Sequence, residues 1–174
     1  MMPQLRWLRR LTERGGQRIP VRLVKGAYWD SEIKRAQELG LRDYPVFTRK
    51  LHTDLSFISG VRFLLSDRKA FYPQFATHNA QSLAAVYVAA ANTPFEFQRL
   101  HGMGEALYEE VVGDSRLGSV CRIYAPVGGH EDLLPYLVRR LLENGANTSF
   151  VNRLADEDAP IAEIVRETVA VLKS

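Results

Sequence analysis

Arg22, Lys25 and Tyr28 stand together where an apolar run, VRLVKGAYWD (21–30), breaks into polar sequence. The same break recurs at QFATHNA (74–80), at FEFQRLHGM (95–103) and at RIYAPVGG (122–129). These breaks present Thr77, His78 and Asn79, then His101, then Tyr124. An arginine inside a strand of Val and Leu needs an anion or a hydrogen-bond acceptor, because a lone buried charge is costly. Lys25, followed by glycine, suits anion binding or a Schiff-base amine. Thr77, His78 and Asn79 form a hydrogen-bonding trio, while His78, His101 and His130 keep metal ligation open as an alternative. Further on, EDLLPYLVRRLLENG (131–145) carries adjacent arginines, Arg139 and Arg140. Two planar guanidinium forks can take one carboxylate from two sides. Glu143, four and three residues beyond them, is placed to hold either arginine.

The elements that must position these groups follow a simple grammar of strand, polar tip and helix. The pattern predicts strands over 20–25, 74–77, 95–100 and 119–125. Helices are expected over 4–14, 30–39, 49–66, 80–91, 103–112 and 131–144, with a last one from Pro160 to about 173. Glycines at 15, 16, 40, 113 and 145 mark helix ends. In the 131–144 helix, Leu133, Leu134, Leu137, Leu141 and Leu142 are expected to form the apolar face, with the arginine pair at its boundary. In βα barrels the chemistry sits at the carboxyl ends of the strands. The polar tips are therefore expected to converge on one mouth. Four βα units make half of an eight-unit barrel, which needs roughly 250 residues; a small doubly wound sheet is the alternative that the pattern leaves open.

Composition is that of a globular chain: 174 residues, 46% hydrophobic and 25% charged, with a formal net charge of +3. No apolar run is long enough to span a bilayer, and no secretory leader is evident. Cys121 is the single cysteine, which excludes an intramolecular disulfide framework and points to a reducing cytoplasm. Its β-like setting makes it a structural thiol. Arg6, Arg9, Arg10, Arg14 and Arg18 read as a solvated helix face, with no nucleic-acid motif beside them.

Five segments go further: VRLVKGAYWDSEIKRAQ, YPVFTRK, YPQFATHNA, FEFQRLHGMGEALY and RIYAPVGGHEDLLPYLVRRLLENGANTSFVN. Together they resemble the proline dehydrogenase domain of bacterial proline utilization A, over residues 18 to 154. The resemblance implies an α/β fold of parallel βα units, half of a (βα)8 TIM-like barrel (strands 5–8) with extra terminal helices. On this reading residues 1–174 are a partial barrel domain: helix 4–14, four βα units over 20–145 and a terminal helical segment over 147–174. It implies FAD as cofactor and oxidation of L-proline to Δ1-pyrroline-5-carboxylate by hydride transfer to flavin N5. Arg22 then matches the arginine beside that nitrogen; Lys25, Gly26 and Ala27 match the grip on the ribityl-phosphate side, and Thr77 and His78 further FAD contacts. Tyr28 and Tyr124 match aromatic walls of the proline site, Arg139 and Arg140 the carboxylate clamp, and Glu143 its brace. For the parent protein the resemblance implies membrane quinone as electron acceptor, an aldehyde dehydrogenase domain in the same chain, and a cytoplasmic location peripheral to the inner membrane. Three rivals stay open: a truncated, non-catalytic piece that keeps the motifs, a Schiff-base aldolase centred on Lys25, and a metal-dependent hydrolase using His78, His101 and His130.

Overall fold

The computed structural model describes residues 1–25, 28–113, 118 and 120–145. Its elements alternate as the pattern requires: α1 (Met2–Gly15), β1 (Ile19–Leu23), α2 (Trp29–Glu38), α3 (Lys50–Ser66), β2 (Phe71–Ala76), α4 (Ala80–Ala90), β3 (Glu96–Leu100), α5 (Glu105–Gly113), β4 (Cys121–Tyr124) and α6 (His130–Gly145). The four strands form one parallel sheet in the order β1-β2-β3-β4. This is an α/β fold of successive parallel βα units. The terminal segment 147–174 expected to be helical lies outside the described residues.

Alternation along the strands separates two chemistries. On one face Leu23, Phe71, Phe75 and Phe97 bury against Phe57, Val61 and Leu64 of α3, Leu83 and Val86 of α4, and Tyr108 and Val111 of α5. This is the core. The residues between them turn the other way, and register aligns them across the sheet: Arg22 with Gln74, Gln74 with Glu96, Gln98 with Arg122, and Leu100 with Tyr124. A doubly wound sheet would be apolar on both faces. Here the second face is polar, which is why the doubly wound alternative fails.

The polar face is organised around Glu96, only 1% exposed. Its Oε1 accepts hydrogen bonds from Gln74 Nε2 (2.9 Å), Gln98 Nε2 (2.7 Å) and Arg122 Nε (2.9 Å), and its Oε2 accepts from Arg122 Nη2 (2.9 Å). A buried carboxylate is tolerable when charge-assisted bonds of this kind replace water. The Arg122 guanidinium holds the Glu96 carboxyl below its usual range, against the opposing effect of burial.

Several boundaries differ from the sequence pattern. β1 and β4 are shorter than 20–25 and 119–125, whereas β2 begins at Phe71 rather than 74. β3 pairs with β2 only from Gln74 onward, so Pro73 sits where one side of the strand is still unpaired. The larger correction concerns α6. Leu134, Leu137, Leu141 and Leu142 are exposed, and the half-buried residues are Leu133, Tyr136, Arg139 and Arg140. The helix turns its polar and aromatic side inward because it lies over polar strand tips instead of over the core.

Candidate active site at the strand tips

Arg22 and Tyr124 stand on the two outer strands, yet the Arg22 guanidinium carbon lies 4.1 Å from the Tyr124 ring centre. Three strand spacings of about 4.8 Å separate β1 from β4. The contact therefore needs the sheet to curl toward its polar face, as a barrel wall does. Tyr124 is half-buried, and Tyr136 of α6 acts on its hydroxyl. Burial raises its phenol above the ordinary value, Arg22 opposes that rise, and Tyr136 adds to it.

α6 supplies the cations above this pair. The Arg140 guanidinium lies 5.5 Å from the Tyr136 ring, and that of Arg139 lies 5.6 Å from the ring of Tyr28, at the start of α2. Arg139 Nε is buried and meets no acceptor among the described residues. A buried donor of this kind calls for an acceptor, and an anion makes the strongest one. Glu143, expected to brace the pair, belongs to α6, but its side chain lies outside the described residues, as do Gly26 and Ala27.

His78 is held in one protonation state. Leu100 N–H donates to its Nε2 at 3.1 Å, so that nitrogen carries no proton. Burial lowers its basicity, and the Arg140 and Arg99 charges lower it further. At neutral pH it is a neutral imidazole. Its ring lies so close to Gly104 that a Cβ there would come within 2.9 Å of it, and the positive φ of Gly104 (+68°) already favours glycine. Thr77 is buried, with its carbonyl accepting from Tyr108 Oη (2.8 Å) and its Oγ1 accepting from Asn79 N–H (3.1 Å). Asn79 caps α4 by accepting from Ser82 N–H at 2.9 Å. These are fixed tips.

Lys25 is engaged in a way the sequence does not reveal. Its Nζ bonds Asp54 Oδ1 and Ser82 Oγ, both at 2.7 Å, and lies 5.1 Å from the Phe57 ring. Lys50 reaches the other oxygen of Asp54 at 2.6 Å. His101 is exposed, with its backbone N–H donating to Tyr124 O (2.8 Å), and His130 is exposed at the start of α6. Among the described residues no three His, Cys, Asp or Glu are grouped to hold a metal.

Arg22, Tyr28, His78, Tyr124, Arg139 and Arg140 thus make one connected cluster where α6 meets the strand tips. Lys25 and Thr77 border it through Ser82 and Asn79. Tyr136, Asp54 and Glu96 are the participants that sequence reasoning missed. Tyr136 was hidden by the expectation of a leucine face. Asp54 and Glu96 each leave a faint signal, as the single acid of α3 and of β3.

Residues 1–153 match the family described as proline dehydrogenase. The chain is 60% identical to the bifunctional protein PutA of Rhizobium meliloti and 58% identical to that of Escherichia coli, over 94% of its own length in both cases. It spans 14% and 13% of those relatives. It is similar in structure to a mutant of proline utilization A from Bradyrhizobium japonicum, with a TM-score of 0.86 and 51% identity over 98% of this chain and 18% of that one. A second solved relative is the Bdellovibrio bacteriovorus protein inactivated by N-propargylglycine, at a TM-score of 0.86 and 36% identity.

Proposed function

The chain belongs to the proline dehydrogenase family, and from that premise we propose that its strand tips form half of an active site oxidising L-proline to Δ1-pyrroline-5-carboxylate. Within the complete protein, β1–β4 serve as strands five to eight of a (βα)8 barrel whose remaining wall comes from the rest of the chain. The polar face and the curl that brings Arg22 to Tyr124 support this reading. The observation that carries it is the Arg139 and Arg140 pair on the inward side of α6, with a buried Arg139 Nε that lacks an acceptor among the described residues.

In this role the two guanidiniums take the proline carboxylate as charge-assisted partners. Tyr28 and Tyr124 flank the ring, and Glu143 steadies the arginines. Holding one end of so small a substrate fixes the position of the other end, which lowers the entropic part of the barrier. FAD is the cofactor proposed, and when bound it supplies the hydride-accepting centre, its N5. The donors present fit such a group: Arg22 is an exposed cation near the end of β1, His78 is a neutral imidazole and Lys25 a tethered ammonium. Arg22 offsets negative charge that develops as electrons arrive. Lys25, Gly26, Ala27, Thr77 and His78 are assigned to holding the cofactor.

The aldolase alternative needs a neutral amine at Lys25, and the ion pair with Asp54 favours the ammonium instead. For the parent protein, quinone as electron acceptor, a second catalytic domain and a position at the inner membrane surface belong to the same proposal. No helix among the described residues is long and apolar enough to cross a membrane. The test is Arg139→Met in the complete protein. KM for proline should rise about 10- to 100-fold, the equivalent of one charge-assisted bond, with flavin content unchanged. An unchanged KM would remove the clamp.

A further inference from the structure

We propose that Asp54 is a positioning residue for the cofactor, acting through Lys25, and that Lys50 preserves the positive charge of the unit. This rests on the reading that Lys25 meets the phosphate side of the flavin. Asp54 lies in α3, buried at 9% exposure, away from the strand tips in sequence and, among the described residues, bonded to none of the proposed substrate groups. Its Oδ1 accepts from Lys25 Nζ at 2.7 Å, and Ser82 Oγ receives a second bond from the same ammonium at 2.7 Å. A lysine has a long flexible stem, so a free one offers an anion a diffuse target. Here two fixed partners from two helices define where the ammonium sits.

A lone carboxylate beside Lys25 would cancel the charge that attracts a phosphate. Lys50 prevents this, because it pairs with the second oxygen of Asp54 at 2.6 Å. Two ammoniums and one carboxylate leave the trio at +1. Burial alone would push the Asp54 carboxyl up, but Lys25 and Lys50 outweigh it and hold the group below its usual range, so the trio stays charged. The arrangement gives up one unit of charge for orientation.

That exchange makes the sign of the test informative. Replacing Asp54 with Asn raises the local charge to +2 while loosening the hold on Lys25, since a neutral amide oxygen replaces the carboxylate. If charge alone mattered, FAD would bind more tightly; if Asp54 positions Lys25, FAD binds more weakly. The experiment titrates FAD into the flavin-stripped complete protein and, separately, follows the rate at which an amine-reactive reagent labels Lys25. We expect Asp54→Asn to weaken FAD binding by roughly tenfold or more. Lys25→Met should weaken it similarly, and the double variant should be no weaker than Lys25→Met. Lys25 should label faster in Asp54→Asn, and Asp54→Glu, which keeps the charge on a longer stem, should fall between the two. FAD binding as tight as wild type or tighter in Asp54→Asn, or losses that add in the double variant, would overturn the proposal. If Lys25→Met leaves FAD affinity unchanged, the cofactor role of Lys25 fails, and with it the part of the proposal that reaches the flavin. The labelling rate then decides the remainder: no acceleration in Asp54→Asn overturns the tether as well.

Discussion

Replacing Tyr108 with Phe removes a single hydroxyl and tests whether the Thr77–His78 tip is held from below. Tyr108 is 3% exposed, and its hydroxyl donates to the carbonyl of Thr77, itself buried, at 2.8 Å. Phenylalanine fills the same space, so no cavity forms and the edge contact with Phe97, at 6.0 Å between ring centres, survives. What is lost is one neutral hydrogen bond, together with the satisfaction of a buried carbonyl. That loss is worth about 1–2 kcal/mol, or a roughly 5- to 30-fold change in the equilibrium between closed and opened tip. Because the carbonyl sits two residues before the Asn79 cap, the opening should be local. Amide exchange in the complete protein, read over peptides covering 77–83, should therefore accelerate by about that factor, while peptides in α1 keep their rates. Unchanged exchange over 77–83, or an equal acceleration in α1, would refute the claim that this bond fixes the tip.

Asn79→Ala deletes the cap of α4 and should destabilise the domain by about 1 kcal/mol, seen as a thermal midpoint lower by roughly 2–4 °C. Glu96→Gln should change the acid limb of stability. The Glu96 carboxyl titrates below its ordinary value when folded, so its contribution is complete above the unfolded value of about 4.3 and fades as pH falls through the lower folded value. Wild type should accordingly lose stability more steeply than Glu96→Gln as pH drops from 5 to 3 in urea titrations. Arg22→Met should slow flavin reduction at saturating proline in stopped-flow absorbance, with KM little changed, because Arg22 is assigned to the developing charge and not to the carboxylate.

How much of this was legible in sequence depended on whether a residue's partner lay nearby in the chain. Arg22, His78 and Tyr124 could be placed at one mouth because each ends an apolar run, and a parallel sheet puts such ends together. The order β1-β2-β3-β4 followed from the same repeat. The position of Asp54 did not, since its meaning lies in Lys25 and Ser82, which are 29 and 28 residues away on other elements. Glu96 was equally silent: only the register that aligns Gln74, Gln98 and Arg122 around it turns an acid in a strand into a buried hub. α6 misled for a physical reason. Its leucines are the residues that ordinarily seek a core, but a helix lying over strand tips meets Tyr124 and His78 first, and so turns Tyr136 and the arginines inward.

The most direct measurement is anaerobic. The complete protein, purified with its flavin and mixed with L-proline in the absence of any electron acceptor, should lose the absorbance of oxidised flavin and yield one Δ1-pyrroline-5-carboxylate per flavin. Arg139→Met, equally loaded with flavin, should need roughly 10- to 100-fold more proline for the same bleaching. A flavin-loaded wild-type protein that stays oxidised under saturating proline would contradict the account at its centre.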